Sequence, residues 1–173
     1  MARWLTTTAV LFALATWAGA QNTGSGLSAA DQRRLLKSNG TLINNLVDHG
    51  LKLSRADGVE KRAEQCRRAA KLLAEAAQDA ARKQEAERVA ALSELLQEVV
   101  RKGFVPTLED GWRMVPAESP AGKELRSTRD VFVADVSELR AAIPPTGKAG
   151  ENARVRAALR DIAEDAEKAK GLK

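Results

Sequence analysis

Apolar residues recur at helical intervals along nearly the whole chain. Leu35/Leu36, Leu42/Ile43, Leu46/Val47 and Leu53 keep one phase, which predicts a helix over about 29–54 running through the turn-prone Asn39–Gly40 pair. Ser28, three residues before Asp31, is an acidic variant of the capping box that satisfies free N–H groups at a helix start. Asp57 and Glu60 open a second helix. Its stripe, Val59, Ala63, Cys66, Ala70, Leu73, Ala77 and Ala80, is built of small side chains that let helix axes approach closely.

No Gly or Pro occurs between Val59 and Lys102, so a single long helix has to be weighed against two. Phase decides between them. Continuing the stripe leads to Gln84, Glu87, Ala91, Glu94 and Glu98, mostly polar, while the apolar set resumes at Val89, Leu92, Leu96 and Val99. At about 100° per residue, Val89 lies on the face opposite Ala80. A tight reversal near "RKQEAE" brings both stripes onto one core; a straight rod would need partners on two sides.

Gly103 then reads as the glycine that closes this helix, with Pro106 preventing its continuation. "GFVPTLEDGWRMVPAESP" is unlike its surroundings, and the sequence predicts an irregular apolar loop over 104–116. Asp110–Gly111 would be a two-residue turn there if the loop were a small hairpin. Ser119-Pro120 starts the next helix, serine as cap and proline at the first position. Ala121, Leu125, Thr128, Phe132, Val136, Leu139 and Ile143 line one of its faces. "PPTGKAG" breaks the chain, and a last helix from about Glu151 carries Val155, Leu159, Ile162 and Ala166. The expected fold is all-α: an antiparallel bundle of about five helices forming one domain over 28–173. How firmly the helix at 151–170 is attached is left open.

The first twenty residues stand apart. Arg3 precedes the uncharged "WLTTTAVLFALATWA", and Ala18 and Ala20 occupy the small-residue positions before a cut ahead of Gln21. That layout predicts a secretory signal peptide cleaved after Ala20, and hence export to the periplasm or beyond. Retention as an anchor is the alternative; the run falls short of the roughly 20 apolar residues a span requires. "NTGSG" follows as a flexible mature N-terminus over 21–27. Cleavage removes Arg3 alone among the charges, so the net charge falls from +5 to +4. Opposite signs are interspersed, as a solvated helical surface requires, and no nucleic-acid partner is expected of an exported chain. The tail lysines, Lys168, Lys170 and Lys173, read as a solvated terminus, with contact to an anionic surface such as lipid or cell-wall polymer as the alternative.

Candidate chemistry is sparse. His49 is the only histidine and Cys66 the only cysteine, so no internal disulfide can form and no metal or other cofactor is expected. Cys66 within an apolar stripe reads as a small hydrophobe, with an intermolecular disulfide as the alternative. Asp48–His49 lacks an accompanying nucleophile motif, and no phosphate-cradling glycine loop occurs. "LSAADQRR", Leu27 to Arg34, resembles the Leu-Thr-x-x-Gln motif of small periplasmic helical chaperones and metal-stress sensors. Its Gln32 falls one residue late, serine replaces threonine, and no second copy follows, so no function is carried over.

These features lead to an exported, non-enzymatic interaction or structural module of the cell envelope, its partner an unidentified protein or envelope component. The alternative is a periplasmic stress or chaperone-like protein that sheathes apolar clients. The predicted docking surface is Phe104, Leu108, Trp112, Arg113 and Met114, with Trp112 as rigid anchor, Arg113 as polar reach and Met114 as adaptable contact. Packing of Phe104, Leu108, Trp112 and Val115 against one end of the bundle is the competing expectation.

Overall fold

The computed structural model describes the backbone of residues 29–172 and the side chains of 39–172. The predicted signal peptide over 1–20, the predicted linker over 21–27, the predicted Ser28 cap and Lys173 lie outside the described residues, as do the side chains of Leu27–Arg34. The described residues contain helices and no strand. α1 spans Ala29–Ser54, α2 Val59–Arg82 and α3 Ala86–Val99. A π-helical segment, Val100–Phe104, leads into α4, Val105–Met114; α5 (Pro120–Ala142), the one-turn α6 (Lys148–Glu151) and α7 (Ala153–Gly171) follow. Residues 42–173 form one compact unit.

The reversal between α2 and α3 falls where the phase change requires it. Glu85 N–H donates to Ala80 O at 3.0 Å, and Gln84 N–H to Ala81 O at 2.9 Å. These are the two bonds of a Schellman motif, which needs a left-handed residue after the helix. Gln84 fills that position, with φ 58°, without being glycine. The seam of small residues predicted for α2 is fully covered: Ala63, Ala77 and Ala80 expose nothing, and Leu73 only 1%.

The stretch 104–116 is a correction. It is neither an irregular loop nor a hairpin: residues 104–114 continue α3 through the π-helical segment into α4, and only Val115 and Pro116 are non-helical. Proline normally breaks a helix because it lacks an N–H and its ring meets the carbonyl four residues back. Here the register widens first, Val105 N–H donating to Val100 O five residues back, and Pro106 enters at the start of a new α-helical run. Thr107 Oγ1 donates to the Gly103 carbonyl at 2.7 Å. Gly103 is therefore inside the helix and does not close it. A Cβ there would stand 3.4 Å from Cys66 Sγ, an ordinary contact, so the position faces α2 without requiring glycine. Gly111 is a close approach rather than a turn residue: a Cβ would lie 2.8 Å from Leu125 Cδ1.

Contacts fix the directions of the helices. The α3–α4 rod runs antiparallel to α2, with Gly103 against Cys66 and Gly111 against Val59. α5 is parallel to α2: Val59 and Leu125 meet at Gly111, and Arg67 reaches Asp135 at 3.1 Å. α7 runs parallel to the rod, through Arg154–Glu94, Gln97–Asp161 and Lys168–Glu109. α2 and α7 thus each pair with both the rod and α5, giving a four-membered arrangement. Phe104 and Phe132 meet between the rod and α5, ring centroids 4.3 Å apart.

The remaining predicted faces are in place. Ser119 Oγ accepts from Gly122 N–H at 3.0 Å, and Pro120 begins α5. Leu125, Thr128, Phe132, Val136, Leu139 and Ile143 are buried. Asn152 caps α7, a role the sequence reading missed, by accepting from Arg154 N–H at 2.9 Å. α7, whose attachment the sequence left open, buries Val155, Ile162 and Ala169 completely. Such apolar burial, worth about 1.5–3 kcal/mol per large side chain, is what holds narrow amphipathic helices together.

Candidate interaction surfaces

Of the five predicted docking residues, two are interior. Phe104 and Leu108 expose nothing and belong to the core, so they leave the docking set. The physical reason is helical geometry: at the junction of the π-helical segment and α4 their i, i+4 spacing puts both on the face turned to α2 and α5. Trp112 is half-buried beneath Arg129, whose guanidinium carbon is 5.8 Å from the indole centroid. Arg129 is itself held by a 2.7 Å bond to the Leu172 carbonyl. Trp112 Nε1 is buried without a hydrogen-bond partner among the described residues. Met114, at 62% exposure, and Arg113 reach solvent, Arg113 lying 3.8 Å from Asp110. The structure does not bring the five together on one surface.

The larger exposed apolar face is on α1. Leu42, Leu46 and Leu53 turn toward the core and are half-buried, and His49 Nδ1–H on the same side donates to Gln65 Oε1 at 2.9 Å. Ile43, Val47 and Leu51, spaced by four, form a second ridge displaced about 100° or more around the helix. They expose 41%, 40% and 51% of their surface, and all three are aliphatic. The one charged pair alongside, Asp48–Lys52, closes on itself at 2.6 Å. Lys52 holds the Asp48 carboxyl below its ordinary range. Sequence pattern contains this ridge, because the doublets Leu42/Ile43 and Leu46/Val47 are too wide for one seam.

A third surface lies between the C-terminal half of α5 and α7. It is a groove of about 630 Å³ with Ile143, Val155, Leu159 and Ala163 along its floor. Arg140, Arg156 and Arg160 stand at its rim. Arg160 pairs with Asp161 at 3.0 Å and Glu164 at 3.8 Å. Arg140 and Arg156 pair with no carboxylate among the described residues. No sequence signal marked this groove, since it joins residues on two helices and a loop.

Cys66 is enclosed, and burial pushes its thiol up to about 11 despite a hydrogen bond with Thr107 that pulls the other way. Among the described residues, no three potential ligands gather as a metal site would need, and no helix is long and apolar enough to cross a membrane. No protein family matches the chain, and no curated protein or solved structure matches it either.

Proposed function

We propose that the protein is a non-enzymatic interaction module of the cell envelope, exported by its leader and docking through α1. The observation that carries this reading is the ridge Ile43–Val47–Leu51: three aliphatic side chains in line, each at least two-fifths exposed among the described residues. Exposed hydrophobic residues scattered singly are ordinary, whereas a continuous row on one helix is the form taken by helix-mediated docking. The leader-like segment 1–20 supports the envelope assignment, and the paired, interspersed charges elsewhere support a solvated remainder.

The second reading is the sheathing of apolar clients. It draws on Met114 and Val131, which expose 62% and 41% on α4 and α5 and suit a spread of weak contacts better than one dock. One experiment separates the two. A photo-crosslinking residue at Val47, compared with one at the exposed Glu124, is activated in intact cells. A discrete adduct at Val47 alone supports docking through α1. A ladder of many adducts from both positions, growing under heat stress, supports sheathing. No adduct from Val47 overturns docking through α1, and no adduct from either position overturns both readings.

A further inference from the structure

We propose that the groove between α5 and α7 binds a single-chain anionic amphiphile, its head held by Arg140 and Arg156 and its tail laid over Ile143, Val155 and Leu159. The site is separate from the α1 ridge and stands whether or not α1 docks.

Two features of the groove select this chemistry. Its floor is aliphatic, yet its rim carries two guanidinium groups that pair with no carboxylate among the described residues. Glu164 and Glu167, farther along, are occupied by Arg160 and Lys170 at 3.8 and 3.7 Å, so the uncompensated charge is positive and local. An anion with an apolar body satisfies both features, because guanidinium offers a fixed fork of donors to a carboxylate or phosphate.

Size suits a small ligand. The groove holds about 630 Å³, within the range of small-ligand sites. From Val155 to Ala163, α7 advances roughly 12 Å, room for an extended alkyl chain. The end nearest the chain break is lined by Pro145 and Gly150, where α6 is seated on the Pro144 carbonyl so tightly that a Cβ on Gly150 would overlap it. A flexible chain can stop against that corner; a helix running through it cannot.

The test is isothermal titration of the full protein with dodecanoate below its micelle concentration, against a neutral dodecyl glycoside and anionic phosphatidylglycerol vesicles. Saturable binding of one dodecanoate is expected. The double variant Arg140→Gln/Arg156→Gln should weaken it by about tenfold or more, since each charge-assisted bond contributes about a factor of ten. Lys61→Gln/Lys123→Gln removes the same charge at the other end of the bundle and should leave affinity within about twofold. Leu159→Gln, at a half-buried floor position, should also weaken binding while thermal unfolding shows the fold retained. Equal affinity for the neutral glycoside, no loss in the arginine variant, or binding to vesicles alone would each overturn the proposal.

Discussion

Phe104 and Phe132 face each other with ring centroids 4.3 Å apart and planes inclined by 44°, both almost wholly buried. This contact makes the segment around Pro106 part of the interior: Phe104 is aimed at α5 by the π-helical register just before it. Phe104→Ala removes the ring from a closed site and should cost about 3–5 kcal/mol. Urea unfolding measures it. A loss under about 1 kcal/mol would show that α4 adds little to the core.

Ser93 on α3 is fully buried, and its hydroxyl has no hydrogen-bond partner among the described residues. A buried polar atom without a partner costs about 1–3 kcal/mol, and alanine is the better helix former. Ser93→Ala should raise stability by about 1 kcal/mol, seen calorimetrically as a rise of roughly 3 °C in Tm. A lower Tm would mean that the hydroxyl is satisfied in solution.

Cys66 should be inert while the protein is folded. With its thiol near 11, against an ordinary 9.0, the thiolate at neutral pH is about a hundredfold scarcer than in a free cysteine. Maleimide should label it slowly in buffer and rapidly in guanidinium. Non-reducing electrophoresis of native protein should show one monomeric band; a disulfide dimer formed without unfolding would contradict the enclosure seen here.

Glu64, Arg67 and Asp135 form a half-buried triad tying α2 to α5. Arg67 holds the Glu64 carboxyl below its ordinary 4.5. A depressed carboxyl stabilises the fold above the unfolded-state value, and that contribution fades as pH falls through the folded-state value. Stability should therefore drop as the solution is acidified below about pH 4.5. Glu64→Gln should be less stable at pH 7 and show a shallower acid slope over that interval. Parallel acid slopes for variant and parent would remove Glu64 from the account.

Reading the chain as a string of helical stripes recovers most of this fold because the interior is assembled from faces set by local periodicity. The reversal at 83–85 carries no glycine or proline, yet the jump from Ala80 to Val89 locates it, since only a turn returns both to one core. The opposite happens at 103–111. Gly103, Pro106 and Asp110–Gly111 each have a strong local meaning, and together they mask the interval from Phe104 to Leu108 to Gly111, four residues and then three, which is itself helical. Local rules for proline assume a regular α-helical register, and the π-helical segment changes it. The groove was illegible for another reason: Arg140 and Arg156 come to line one groove only when α5 and α7 fold back on each other. The α1 ridge was half legible, its apolar doublets visible but their lack of cover apparent only once the other helices had places.

The three-residue link through Gln84 also bears on the order of assembly. Closing so short a connection costs little chain entropy, while bringing α7 against α3 means ordering the whole of 100–152 in between. The α2–α3 hairpin is the cheapest partnership to make, and it already contains most of the alanine seam. It is the natural seed on which α5 and then α7 condense, so substitutions at Ala70 or Leu96 should slow refolding, whereas those at Ile162 should mainly hasten unfolding.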